Sequence, residues 1–299
     1  MKVRRSQPGG EQYLALQSLA RDTGRGFEQL AVLYALEGFL RRLAASDDRD
    51  RFVLKGGVLL AAFDARRPTR DADLLALELA NEREVVEATV ATIAGLPLPD
   101  GLVLQSGTIA SQVIRDEDEY SGIRVKLTYA LATMSIRIGV DVNVGDPVYP
   151  APQYVSMPGL LGDGVRLRGY PLPAVIAEKA VTGMQRGIAN TRWRDWADIW
   201  TLSQRHAFDA GELAAAITEV ARHREVGVRP ISELLNDYPG IAQARWAAWR
   251  RRPDVPQDLP QEFGNVLEAA ARFIDLPIEG SSIGYHWNPV ASSWEKAGP

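Results

Sequence analysis

The chain has 299 residues, with 34 Lys plus Arg against 38 Asp plus Glu and no cysteine. At about 150 residues per domain this length predicts two domains or one elaborated domain. Zero cysteine excludes a disulfide scaffold, a zinc ribbon and a thiol nucleophile. Three histidines (His206, His223, His286) argue against a multi-histidine metal site. The net charge of −4 excludes a uniformly basic nucleic-acid coat but not a local basic patch. No apolar run reaches the length of a membrane span, and Met1 to Gly10 is polar and basic. The expectation is a soluble cytoplasmic protein without membrane association, monomeric by default.

After a polar lead-in with a short helical pattern at Gln12 to Ala20, helical periodicity runs from Phe27 to Ala45 and stops at Ser46-Asp47-Asp48. Arg51 to Leu54 reads as a short strand, Lys55-Gly56-Gly57 breaks it, and Val58 to Phe63 reads as helix. The turn signal Arg66-Arg67-Pro68-Thr69 leads into a second strand, Asp71 to Leu77, followed by a helix at 81–94. Three β-like runs come next, at 102–109, 123–130 and 135–144. Residues 145–170, rich in Gly and Pro, read as a loop and a subdomain boundary. Helical patterns then occupy 172–187, 192–205, 210–222, 229–249 and 260–274, and 278–299 reads as an irregular tail. The order is mixed α/β over 1–150 and mainly helical over 151–299.

Several clusters along this order bear chemistry. A glycine pair between strand and helix, Gly56-Gly57 after Lys55, lets backbone N–H groups approach a phosphate, or serves only to turn the chain. Asp71 and Asp73 alternate with Ala72 on a strand, so both carboxylates point one way. Such a pair suits Mg²⁺ with phosphate oxygens, or is a solvated strand end. In 135–144, Arg137, Asp141 and Asn143 share the polar face; Asp141 either completes a three-carboxylate site or faces solvent, and Asp146 reads as a turn former. Lys179 continues the apolar stripe of Leu172, Val175 and Ile176. It needs an anionic partner, a phosphate or a carboxylate, unless it snorkels to the edge. Asp195 and Asp198 share a helical face, where Asp195 also suits a first-turn helix-dipole role. Trp193, Trp196 and Trp200 read as core.

In this order the pieces Phe52-Val53-Leu54-Lys55-Gly56-Gly57, Arg70-Asp71-Ala72-Asp73-Leu74, Asp141 to Val148, Ala177-Glu178-Lys179 and Arg194-Asp195-Trp196-Ala197-Asp198-Ile199 resemble the AbiEii/AbiGii toxin family of nucleotidyltransferases. That family includes the Men-type toxins of bacterial toxin–antitoxin modules. The resemblance covers residues 52–200. It implies an α+β fold: a polymerase-β-like nucleotidyltransferase core, a mixed sheet with flanking helices, followed by a mainly helical C-terminal region. It also implies that Gly56 and Gly57 contact the triphosphate of an NTP, with Lys55 and Arg70 beside it. Asp71 and Asp73 would bind Mg²⁺, assisted by Asp141. Lys179 would neutralise phosphate charge, and Asp195 or Asp198 would belong to the later catalytic motif. Family members add nucleotides to the acceptor end of tRNA, which blocks aminoacylation and stops translation. A cognate antitoxin relieves this, in some systems by phosphorylating a Ser or Thr two residues before the first metal aspartate, where Thr69 stands here. Asn143 departs from many relatives, which carry a small or apolar residue there.

RNA binding would draw on basic patches: Arg66, Arg67 and Arg70; Arg186, Arg192 and Arg194; Arg245, Arg250, Arg251 and Arg252, the last three also reading as a solvated helix face. Transfer to a protein target, or an NTP-binding module acting through a partner, are the alternatives.

Overall fold

The computed structural model describes residues 3–115, 121–234, 236–252, 255–280 and 283–296. Two compact units emerge, one from residues 1–146 and 153–169, the other from 147–152 and 170–299. No helix among the described residues is long and apolar enough to cross a membrane.

In the first unit the elements are α1 (Gly10–Thr23), α2 (Phe27–Ala45), β1 (Phe52–Lys55), α3 (Gly56–Leu59), β2 (Asp71–Ala76) and α4 (Arg83–Ala94). They continue with β3 (Leu102–Leu104), β4 (Ala110–Arg115), β5 (Ser121–Leu131), β6 (Met134–Val144), β7 (Gln153–Met157) and β8 (Val165–Gly169). Helix α2 is buried at every position from Leu30 to Leu40. An all-round apolar helix belongs inside a core, and α2 packs on β6, β8 and α4. Each of its fully buried leucines contributes about 1.5–3 kcal/mol. Two buried charges on α2 are satisfied. Arg42 forks onto Asp100 at 2.7 and 3.0 Å, and Glu37 accepts from Arg66 and from the Leu160 N–H.

The sheet runs β3-β5-β6-β2-β1-β8-β7, with β4 also paired to β5. Strands β2 and β6 are parallel, as are β1 and β8; β1 and β2 are antiparallel, as are β5 and β6. Ile136, Ile138, Val140 and Val142 of β6 are buried on one face. The opposite face carries the charged residues described below.

Four expectations are corrected. The loop expected at 145–170 contains the β7–β8 hairpin, whose inward residues Val155, Met157 and Leu167 alternate with exposed ones. The alternation is only five residues long in each strand and sits between Gly and Pro clusters, which masks it. The hairpin joins the first sheet, so the chain passes to the second unit at Tyr170. The strand expected at 102–109 splits, because Ser106 to Thr108 turn and Ala110–Arg115 becomes a separate strand on β5.

The second unit contains α5 (Leu172–Arg186), α6 (Trp193–Ser203), β9 (Phe208–Asp209), α7 (Ala210–His223), α8 (Ile231–Leu234), α9 (Tyr238–Arg250), α10 (Phe263–Ile278), β10 (Tyr285–Asn288) and β11 (Ser293–Lys296). Helix α10 touches α6, α7, α8 and α9. The helix expected at 229–249 is two, α8 and α9, and Pro239 sits in the first turn of α9, where its missing N–H costs no helical hydrogen bond. The fourth correction is the tail. β10 and β11 form a hairpin that adds to β9. Trp287 and Trp294 pack on Phe273, and their indole N–H groups donate to Ser203 and Phe273 carbonyls at 2.7 and 3.1 Å. Residues 281–282 and 297–299 of that tail lie outside the described residues.

Candidate active site

Register brings four charged residues into one row across four strands. Lys55 on β1 faces Asp73 on β2, Asp73 faces Asp141 on β6, and Asp141 faces Arg124 on β5. Directly paired residues share a face of the pleat, so the row reads Lys, Asp, Asp, Arg on one side of the sheet. Asp71 lies two positions along β2, on the same face and beside Gly139. Asp146, just past β6, closes the row: its carboxylate takes the Lys55 ammonium at 2.6 Å.

Glycines make room for the carboxylates. Gly56 has φ +66°, and a Cβ there would sit 1.9 Å from Asp73 Oδ2. At Gly139 a Cβ would sit 2.2 Å from Asp71 Oδ1. The Gly57 N–H donates to Asp73. The turn expected to approach a phosphate therefore first seats Asp73. Arg67 lies over Gly57, where a Cβ would meet its Nη1 at 3.2 Å. Asn143 faces Gly122, where a Cβ would meet the amide at 2.9 Å. A bare glycine on β5 leaves space for that amide, which accounts for Asn143.

Burial, then repulsion from Asp141 and Asp71, pushes the Asp73 carboxyl up to about 6, while Lys55 and the Gly57 N–H oppose the shift. Burial also raises Asp71, against the pull of Arg124. Two hard oxygen donors on one face, each disfavoured as an anion, match what a small divalent cation stabilises. Asp71 and Asp73 thus fit Mg²⁺. Asp141 is differently placed. Arg124 donates to it through two nitrogens, Nε to Oδ1 at 2.7 Å and Nη2 to Oδ2 at 2.5 Å. Among the described residues no group of three or more carboxylate, histidine or cysteine side chains is arranged to hold a metal. Asp141, the third carboxylate anticipated from the sequence, is paired with an arginine.

The loop before β2 carries Thr69 and Arg70. The Thr69 hydroxyl is 3.1 Å from the Asp71 carbonyl and 3.5 Å from its N–H. Arg70 is exposed and its carbonyl accepts from Gly139 N–H. Arg66 is tied to Glu37 and to the Pro158 carbonyl, so one member of that basic patch anchors the loop.

In the second unit, Lys179 on α5 is buried, with Asp195 Oδ1 at 3.1 Å and Asp198 Oδ2 at 2.7 Å. The two aspartates are one turn apart on α6, so a single ammonium reaches both. Arg192 holds the other side of Asp195 at 2.9 Å. The anionic partner that Lys179 requires is thus a carboxylate pair. Trp196 is fully buried, and a Cβ at Gly183 would meet its ring at 2.4 Å, which makes it core. Arg194, Arg245, Arg251 and Arg252 are exposed, whereas Arg250 donates to the Leu259 carbonyl at 2.8 Å.

Sequence reading missed two residues. Asp146 was expected to be a turn former and is the Lys55 counter-ion. Arg124 carried no motif; only its register opposite Asp141 exposes it.

Among solved structures the chain is similar to the nucleotidyltransferase toxin MenT4 of Mycobacterium tuberculosis H37Rv, at 18% identity and TM-score 0.52, covering 89% of each chain. It is also similar to a putative nucleotidyltransferase from H. pylori, at 16% identity and TM-score 0.49, covering 84% of this chain and 96% of that one. The MenT4 likeness shows the nucleotidyltransferase fold. No curated protein matches. The profile described as "Nucleotidyl transferase AbiEii toxin, Type IV TA system" matches residues 38–269, most of the chain. With that match the chain belongs to the AbiEii family of nucleotidyltransferase toxins of toxin–antitoxin systems.

Proposed function

We propose that this toxin transfers nucleotides from an NTP to the 3′ acceptor end of tRNA in a Mg²⁺-dependent reaction, blocking aminoacylation and translation, and that a cognate antitoxin relieves it. The observation that carries the reading is the seating of Asp73 by the Gly56-Gly57 turn, beside Asp71 on a strand of the family's fold.

When bound, Mg²⁺ would lower the charge on the leaving pyrophosphate and orient the α-phosphorus. Asp71 and Asp73 would hold it. The RNA 3′-oxygen forms a bond to the α-phosphorus while the bond from that phosphorus to pyrophosphate breaks. The proton of the attacking hydroxyl goes to a carboxylate oxygen near it. Lys55, Arg67 and Arg70 supply positive charge near the β1–α3 turn for the phosphates. Thr69, hydrogen-bonded to the Asp71 backbone, is the proposed phosphorylation site. A phosphate there would add negative charge next to the metal carboxylates and oppose NTP binding.

The test is incubation of the protein with total tRNA, Mg²⁺ and each α-labelled NTP in turn, beside Asp71→Ala. Label on tRNA with the wild type and none with the variant supports the reading. Label on protein but not on RNA replaces tRNA with a protein acceptor.

A further inference from the structure

We propose that Arg124 is an internal counter-cation that holds the metal site shut until a nucleotide triphosphate draws it away, so that metal and nucleotide bind cooperatively. This rests on the metal reading of Asp71 and Asp73.

Arg124 grips Asp141 with two charge-assisted hydrogen bonds, the strong geometry for a guanidinium and a carboxylate. The same Nη2 stands 3.8 Å from Asp71 Oδ2. One guanidinium thus neutralises Asp141 and borders Asp71, a proposed metal ligand. A divalent ion placed between Asp71 and Asp73 meets a fixed positive charge a few ångströms away. At that range like charges repel even with substantial dielectric screening. Releasing Arg124 into water would leave Asp141, 11% exposed at its side chain, without its partner.

The side chain of Arg124 is itself 31% exposed, so it can reach an arriving ligand while Asp141 stays in place. A triphosphate brings the metal and offers the guanidinium a new bidentate anion in one event. Asp141 then becomes free to face the ion. The row also explains why Lys55 does not play this part: Asp146 holds it from the far side, and it opposes Asp73 through strand register rather than through a forked bond.

The experiment measures Mn²⁺ affinity by electron paramagnetic resonance of the free ion, with and without α,β-methylene analogues of the four NTPs. Arg124→Gln is expected to bind Mn²⁺ alone about tenfold tighter than wild type. The wild type is expected to gain affinity when the analogue is added, and Arg124→Gln to lose most of that gain. Arg124→Lys, which keeps the charge, is expected to resemble the wild type without nucleotide. If Arg124→Gln does not fold, the double variant Arg124→Gln/Asp141→Asn removes the buried carboxylate as well and is expected to bind Mn²⁺ at least as tightly as wild type. A folded Arg124→Gln that binds Mn²⁺ no tighter than wild type overturns the proposal, as does a double variant that binds it more weakly than wild type, or a wild type whose Mn²⁺ affinity is the same with and without analogue. Absence of Mn²⁺ binding under every condition overturns the metal reading itself and this inference with it.

Discussion

Gly56→Ala tests the packing on which the site depends. The residue has φ +66°, a conformation that costs a non-glycine residue about 1–2 kcal/mol. The new Cβ would also lie 1.9 Å from Asp73 Oδ2, 2.5 Å from its Cγ and 2.8 Å from its Cβ. Asp73 cannot retreat with its backbone, because β2 is paired on both sides, to Lys55 and to Asp141. It must rotate away from the Gly57 N–H, and a hydrogen bond to a charged group contributes about 1.5–3 kcal/mol. The summed loss is roughly 3–5 kcal/mol, a large share of the ~5–15 kcal/mol that holds a typical domain. All seven tryptophans lie at or beyond Trp193, in the second unit. In urea unfolding, tryptophan fluorescence therefore reads the second unit, whereas far-UV circular dichroism reads both. The circular dichroism transition should shift to lower urea, and the fluorescence transition should move less. In an Asp73→Ala background the two closest contacts vanish, so the same Gly56→Ala change should cost at least ~1 kcal/mol less. An equal loss in both backgrounds, or a loss under about 1 kcal/mol in the wild type, refutes the claim that Gly56 exists to seat Asp73.

Asp73 makes the first unit sensitive to pH in the metal-free protein. Its folded carboxyl lies at about 6 against the usual 3.8, so the folded state holds a proton that the unfolded chain has released. Stability is then full below about pH 4 and is lost as pH rises through 6, by up to about 3 kcal/mol at 1.36 kcal/mol per unit. Asp73→Asn should flatten that slope in urea titrations at pH 4.5 and 7.5, and Mg²⁺ at the higher pH should restore stability to the wild type alone; a slope unchanged by the substitution would sink the assignment. Lys179→Met removes the ammonium between two buried aspartates and should cost about 3–5 kcal/mol, read in the tryptophan transition. Since Asp198 lies nearer the ammonium than Asp195, at 2.7 against 3.1 Å, adding Asp198→Asn should recover more of that loss than adding Asp195→Asn. Equal recovery would mean that Lys179 serves the two carboxylates alike.

Much of the fold was legible because its period is strong. The apolar run of α2, the alternation of β5 and β6 and the stripes of α5 to α7 each exceed ten residues, long enough for a face to show. The β7–β8 hairpin and the β10–β11 hairpin were missed because their strands span four or five residues, and the signal that fixes them is tertiary. Trp287 orders the C-terminal strand through Ser203, a residue 84 positions away. The same limit applies to the site. Asp71, Asp73 and the glycines announce themselves by local spacing. Arg124 does not, because nothing near it in sequence states that it faces Asp141.

Register ties the chemistry to the fold in a further way. The Lys55–Asp73–Asp141–Arg124 row exists only in the pairing observed across β1, β2, β6 and β5. A slip of one residue between β2 and β6 would turn Asp141 to the apolar face of the sheet, move Val140 and Val142 to the charged face, and bring an apolar residue opposite Asp73. The cost of burying an unpaired carboxylate there would exceed that of most single core substitutions. Charges that serve the proposed reaction thus also select the register. The two cations at the ends of the row make that selection possible, since a row of carboxylates alone would repel and favour the slipped pairing. Lys55 and Arg124 are therefore expected to matter to folding before any nucleotide arrives.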